Sequence, residues 1–331
     1  MTRGLNFKER EVLRVIVERY TENGQRSNSF YVAEKLPFRM SPSSVRQIMA
    51  SLEAKGYLSP PSGKGRIPTE LALKIYIDSL LKVKPWRTHK ENIKLDVKEN
   101  LEELIKEITK ALSQKSQNLS LLVSPSFFYV PFSQINFIRV QENTILVVLR
   151  TLRGLILTKT IMVDRDYSQE KLNRISEIIN LNFKGKTLKE AVDIVETGFQ
   201  RGGKLLREII LKMRKFMEER EVYVEGETLI IDKLKGNIEK IKGVLKIFEE
   251  KKEILRFLST LELGHEIQVI WGEEMPFSYG KDCVFLLYPY LPKGVIAVFG
   301  PKHMSYSKSL AALDSFGEYL KNAIYSRGGV P

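Results

Sequence analysis

The chain is poor in the residues that disulfides, metal centres and thiol chemistry require. Its 331 residues include one cysteine, Cys283, so no intrachain disulfide forms. Cys283 sits within DCVFLLY, where it reads as a small buried hydrophobe. His89, His265 and His303 lie far apart and give no metal-ligand spacing. Neither a metal nor a cofactor is expected. No apolar run approaches the roughly 18 residues of a membrane span. The longest, such as CVFLLYPYL, reads as a buried strand. The opening MTRGLNFKEREVL is charged from the start and lacks an apolar signal core. The expectation is an intracellular, cytoplasmic protein with no membrane partner. Catalytic patterns are missing too: there is no G-x-S-x-G, no suggested Cys–His pairing, and the carboxylates are scattered. An enzyme is not expected.

What the chain does have is positive charge in one place. Residues 1–90 hold 17 Lys and Arg against 8 Asp and Glu, while the remaining 241 hold 36 against 32. A basic first quarter on a nearly balanced body points to an N-terminal nucleic-acid module. An anionic membrane surface would suit the charge equally, so local structure has to decide.

Residues 7–22 place Leu13, Ile16, Val17 and Tyr20 at helical spacing, and Gly24 suits the stop. Ser29 is read as the cap of a short helix over 30–36, ended by Pro37. Ser41 is a strong N-cap and Pro42 fits the first helical position. Val45, Ile48, Met49 and Leu52 then fall on one face, which must point inward. Ser43, Ser44, Arg46 and Gln47 fall on the other. Small hydroxyls allow close approach, and Arg and Gln carry the forked groups that read base edges in a major groove. The three helices make a helix-turn-helix.

The segment PPSGKGRIPTE follows (60–70). Its Gly-Lys could belong to a phosphate-binding loop, but that reading fails. Leu58 stands where the first glycine is required, Gly65 follows Lys64 in place of Ser or Thr, and Pro68 interrupts the helix that should open. The position, between short strand candidates after the third helix, suits a wing offering Lys64 and Arg66 to DNA. A plain turn with no ligand stays open beside it. A helix from Thr69 closes this part.

Residues 82–94 read as a basic linker, followed by a helix over about 96–114. SLLVSPSFFYV, INFIRVQ, TILVVLRT and LRGLILTKTIMV read as strands, with a hairpin turn at Gln141–Asn143. Helices are expected over 168–182, 237–259 and 305–325, and strands over 267–271, 282–289 and 294–299. This is an α+β domain on an antiparallel sheet. Residues 184–233 interrupt it with two amphipathic stripes and VYVEGETLIID, read as a hairpin about Glu225–Gly226. Its apolar surplus is read as a surface buried against a second copy, with packing onto the parent domain as the alternative. Asp164-Arg165-Asp166 reads as an exposed loop rather than a metal-binding turn.

Several segments together resemble one family. SPSSVRQIMASLEAKGYL and GRIPTELALKIYIDSLL, then VPFSQINFIRV, INLNFKGKTLKE and VFGPKHMSYSK, are similar in order to the heat-inducible transcription repressor family (HrcA). Ser44 and Gln47 stand where that family usually has Thr and Asn, Asn28 where it has Gly, Pro61 where it has His and Lys64 where it has Ala. The resemblance implies an α+β multidomain fold. Its parts are a winged helix-turn-helix (1–81), a linker (82–94), a GAF-like antiparallel α/β domain (95–183 and 234–331) and an inserted α+β dimerisation domain (184–233). It also implies a homodimeric repressor of chaperone operons that binds an inverted-repeat DNA operator and is modulated by chaperonin. The DNA-binding residues expected are Ser29, Ser41, Ser43, Ser44, Arg46, Gln47, Lys64 and Arg66. A regulator gated by a small molecule in the GAF-like domain, and an RNA-binding protein using the same helices, remain as alternatives.

Overall fold

The computed structural model describes residues 5–61, 65–85, 93, 100–198, 203–233, 242, 246, 251–277, 280–291 and 293–325. It is a mixed α+β architecture with antiparallel sheets.

Helices α1 (Phe7–Asn23), α2 (Ser29–Lys35) and α3 (Pro42–Ala54) pack together, and α4 (Glu70–Val83) closes on α1. Their starts are local events. Asn6 and Glu9 form a reciprocal capping box on α1, Ser41 caps α3 ahead of Pro42, and Thr69 caps α4. One expected cap moves: Asn28, not Ser29, caps α2, accepting from the Tyr31 N–H. Asn28 does so with extended backbone (φ −106°), not the left-handed conformation a glycine would serve there. Of the expected linker, 82 and 83 belong to α4, while 86–92 and 94 lie outside the described residues.

The body is built on a five-stranded antiparallel sheet ordered β5-β1-β8-β7-β6. Its strands are β1 (Leu119–Val123), β5 (Val222–Glu225), β6 (Gln268–Trp271), β7 (Cys283–Leu291) and β8 (Gly294–Pro301). Both faces are covered. Leu122, Leu286, Ile296 and Val298 pack with α5 (Leu101–Ser116) and α11 (Tyr306–Tyr325). Leu121, Phe285, Leu287 and Phe299 share the other core with Ile230 of α9 (Glu227–Lys233) and Phe257 of α10 (Lys251–Thr260). Burial on both faces explains the near-continuous apolar runs of β1 and β8, which do not alternate. Cys283 is buried in the second core.

Between β1 and β5 the chain makes a second, three-stranded sheet, β2 (Phe132–Gln141), β3 (Thr144–Thr151) and β4 (Ile156–Met162). Helices α6 (Gln169–Phe183), α7 (Leu188–Glu196) and α8 (Gly203–Glu218) follow. α6 lies along β2 and acts as a substitute strand. The Asn180 amide pairs with both the N–H and the C=O of Ile135, Ser176 accepts from Phe137 N–H, and Gln169 bridges Phe137 and Arg139. The exposed sheet edge is thereby satisfied by side chains.

Three expectations about the body change. VYVEGETLIID is not a hairpin: it is strand β5, paired with β1 at Val123–Val222, followed by helix α9. A Cβ on Gly226 would stand 2.3 Å from Ser113 Oγ and 2.7 Å from the Asn118 carbonyl, so contact with α5 sets this corner. The apolar stripes of 184–233 are not left over for a second copy. Leu188, Val192, Leu206, Ile209 and Met213 are buried within the chain, where α7 packs on α8 and α8 on β4. The Phe216 side chain lies outside the described residues. The excursion from the five-stranded sheet leaves after Ser124 and returns at Glu221, where Ser124 N–H meets the Glu221 carbonyl. Within SLLVSPSFFYV, Phe127–Tyr129 form a short 3-10 turn rather than strand. Most of the 237–259 helix before α10 lies outside the described residues.

Gly317 tests the sheet–α11 contact. Alanine usually improves a helix by about 1 kcal/mol over glycine. Here its Cβ would meet the buried Tyr288 ring at 2.5 Å, and overpacking costs about 1–3 kcal/mol. Gly317→Ala should therefore destabilise, by a net of up to about 2 kcal/mol, in urea unfolding of the full chain. A gain in stability would show that the ring moves aside freely.

Candidate nucleic-acid interface

The α3 periodicity divides its surface as its sequence requires. Val45, Met49 and Leu52 are buried and Ile48 is half-buried. Ser43, Ser44, Arg46 and Gln47 are exposed together. Ser41 Oγ accepts from Ser44 N–H at 3.1 Å and lies 2.9 Å from Ser44 Oγ. The two hydroxyls at the start of α3 are thus engaged with each other, whereas Arg46 has no ion pair among the described residues.

Two carboxylates hold α3. Glu9, 4% exposed on α1, accepts from Ser51 Oγ (2.9 Å) and Lys55 Nζ (2.7 Å) at the C-terminal end of α3. The hydrogen bond from Lys55, with that from the Asn6 backbone, holds the Glu9 carboxyl below its ordinary value of 4.5. Glu53, on α3 itself, accepts from Arg66 Nε at 2.7 Å.

That second contact changes the part assigned to Arg66. It does not project from the loop: its side chain is 16% exposed and points back onto Glu53. Its backbone pairs in both directions with Ser27, and Ser59 N–H donates to the Ile67 carbonyl. Segments at 27, 58–59 and 65–68 thus lie side by side. Gly65 is obligatory there, since a Cβ would come 2.7 Å from the Ser27 carbonyl oxygen. Ser29 also departs from expectation. It is 6% exposed, the first residue of α2, and its side chain is not available to a duplex. Lys64 lies outside the described residues.

The structure adds exposed cations that periodicity does not mark. Arg39 stands in the turn before α3, and Arg26 lies beside Gly65, its Cβ near that close approach. Both sit on connections, where no repeating pattern picks them out. Behind the interface, α1 and α4 meet the body. Glu70 pairs with Lys74 and Lys302, Lys74 lies 5.3 Å over the Trp271 ring, and Tyr20 meets His303 edge-on at 6.0 Å. Asp164 and Asp166 pair with Lys212 and Arg139 in separate ion pairs. Among the described residues there is no cluster of metal-ligating side chains and no helix long and apolar enough to cross a membrane.

Residues 102–310 match the family model described as HrcA protein C terminal domain. The chain belongs to the HrcA family. The match runs from α5 into α11, and relatives align over nearly the whole chain. The Heat-inducible transcription repressor HrcA of Thermodesulfovibrio yellowstonii is 26% identical over 97% of the chain and 98% of that protein. The repressor of the same name from Nitratidesulfovibrio vulgaris is 28% identical over 98% and 97%. A crystal structure described only as a hypothetical protein superposes with TM-score 0.65 at 21% identity, covering 97% of this chain and 99% of that one. It shares the fold.

The Glu9 strut has a pH signature. Its folded carboxyl titrates lower than its unfolded one, so its contribution is complete above about pH 4.5 and is lost as pH falls through the folded value. Glu9→Gln should cost about 1.5–3 kcal/mol near neutrality, the range for a hydrogen bond to a charged group. It should also flatten this part of the acid dependence in urea titrations taken from pH 6 down to about pH 3. An unchanged acid profile would remove Glu9 from that role.

Proposed function

We propose that this chain is a heat-inducible transcription repressor that binds an inverted-repeat DNA operator as a homodimer. Residues 1–83 act as a winged helix-turn-helix, with α3 in the major groove and the 58–68 segment as the wing. The observation that carries the reading is the face of α3: Ser43, Ser44, Arg46 and Gln47 exposed in one row on a helix whose opposite row is core. Arg46 and Gln47 read base edges. Arg66 positions the wing through Glu53 rather than touching phosphate, and Arg39 takes a backbone phosphate. The relatives named as heat-inducible transcription repressors support the repressor reading; chaperone operons as the target, and modulation by chaperonin, are carried over from the family resemblance.

The second copy is placed on the outer face of the three-stranded sheet. Ile138 and Val140 on β2 and Met162 on β4 are exposed, with Leu146 and Val148 half-buried between them. Ile138, Leu146 and Thr160 lie in one register row. The β2 edge is already sealed by α6, so the face, not that edge, is open to self-association. The excursion 125–220 is then the dimerising unit, and the five-stranded sheet with helices on both faces is the GAF-like domain.

Gel-shift and footprinting on the organism's own chaperone-operon DNA test the contacts separately. Arg46→Ala should cost about 1–3 kcal/mol against the operator and relax specificity at one base pair. Arg39→Ala should weaken operator and random duplex alike and reduce the salt slope by about 0.9. If Arg46→Ala leaves the ratio of operator to random affinity untouched, α3 does not read bases.

For the dimer, Ile138→Asp should give a monomer by light scattering with its circular dichroism retained. A dimer that persists would move the interface elsewhere.

A further inference from the structure

A cavity of about 580 Å3 lies where four parts of the body meet. They are the β7–β8 turn, the segment that follows α10, Arg220 just before β5, and Lys321 on α11. The volume is in the range of small-molecule pockets, about 300–1,000 Å3. Part of its wall is apolar, with Leu258, Leu263 and Val295, and the rest is polar or charged. Its cations are Arg220, Lys293 and Lys321, and no Asp or Glu is among the described residues lining it.

Arg220 is the informative side chain. It is half-buried, and its guanidinium donates to the Lys293 carbonyl (3.2 Å) and to the Ser259 hydroxyl. No carboxylate among the described residues pairs with it, and burial pulls its pKa below the ordinary value. Among the other half-buried arginines of the described residues, Arg66 is neutralised by Glu53 and Arg14 by Glu11 and Glu18, while Arg19 hydrogen-bonds Gln25 and lies over the Tyr31 ring. A guanidinium partly withdrawn from water without a counter-ion is costly, and an arriving anion offsets that cost. Five N–H donors leave Arg220 free to bind one while keeping both internal bonds. Lys293 is also within 5.7 Å of the Tyr129 ring, which leaves Lys321, exposed on α11, as the second mobile cation.

We propose that this cavity binds a small amphipathic carboxylate, with the head group on Arg220 and Lys321 and the tail against Leu258, Leu263 and Val295. Inorganic phosphate would satisfy the cations but leave the apolar walls wet. A neutral tail of the same length would fill the walls but leave Arg220 unpaired. The site shares no residue with the α3 face, so it stands or falls independently of DNA binding.

Isothermal titration of the full-length protein with octanoate, 1-octanol and inorganic phosphate tests the assignment. Octanoate should bind saturably at one site, with octanol and phosphate each at least about tenfold weaker. Arg220→Gln should weaken octanoate about tenfold or more, the loss expected for a charge-assisted bond. Lys321→Gln, at an exposed helix position, should weaken it by about threefold and serves as the test if Arg220→Gln does not fold. Equal affinity for octanoate and octanol, phosphate binding as tight as octanoate, or unaltered octanoate binding in the folded variants would overturn the proposal.

Discussion

Strand β1 requires a hydrogen-bonded partner on each side, and much of the body follows from how the chain meets that requirement. All five of its residues are buried, so any unpaired N–H or carbonyl there would cost about 1–3 kcal/mol. One partner, β8, arrives from residues 294–301, and the other, β5, from residues 222–225. Whatever the chain builds between β1 and β5 must leave and return at the same point. Ser124 and Glu221 meet there by backbone and side-chain hydrogen bonds, a closed doorway for the excursion.

Within that excursion the same accounting of backbone groups has a different solution. The edge of β2 is satisfied not by another strand but by amide and hydroxyl side chains of α6, with Asn180 giving both a donor and an acceptor to Ile135. An edge closed in this way cannot add a strand from another copy. The helices α7 and α8 spend their apolar stripes inside the chain. Among the described residues of the excursion, the exposed apolar side chains are Ile138, Val140 and Met162 on the sheet and Leu152, Leu181 and Leu211 elsewhere.

The N-terminal unit is organised by carboxylates rather than by core size alone. Glu9 ties α1 to the end of α3, and Glu53 ties α3 to the 65–68 segment through Arg66. These pairs neutralise the inner cations and leave Arg39 and Arg46 as outward charges. Glu70, at the start of α4, also pairs with Lys302 of the body, so α4 is held by both parts of the chain.

Much of this was legible locally. The end of α1, the limits of α3 and the start of α4 follow from Gly24, Ser41-Pro42, Gly56 and Thr69, because capping involves residues three or four apart. The outward row on α3 follows from its 3.6-residue period alone. The failures share one cause. VYVEGETLIID alternates and carries a Glu-Gly turn, so it satisfies a hairpin locally. What makes it strand and then helix is β1 and the approach of Gly226 to Ser113, more than a hundred residues away. Arg66 reads as a free cation until Glu53 is placed beside it. Sequence by itself determined most of the helices, α9 excepted, their faces and the charge asymmetry, since these rest on short-range periodicity and capping. Tertiary structure alone decided which strands pair, which apolar stripes are consumed internally and which cations stay free. Those outcomes depend on partners that only folding brings within a few ångströms.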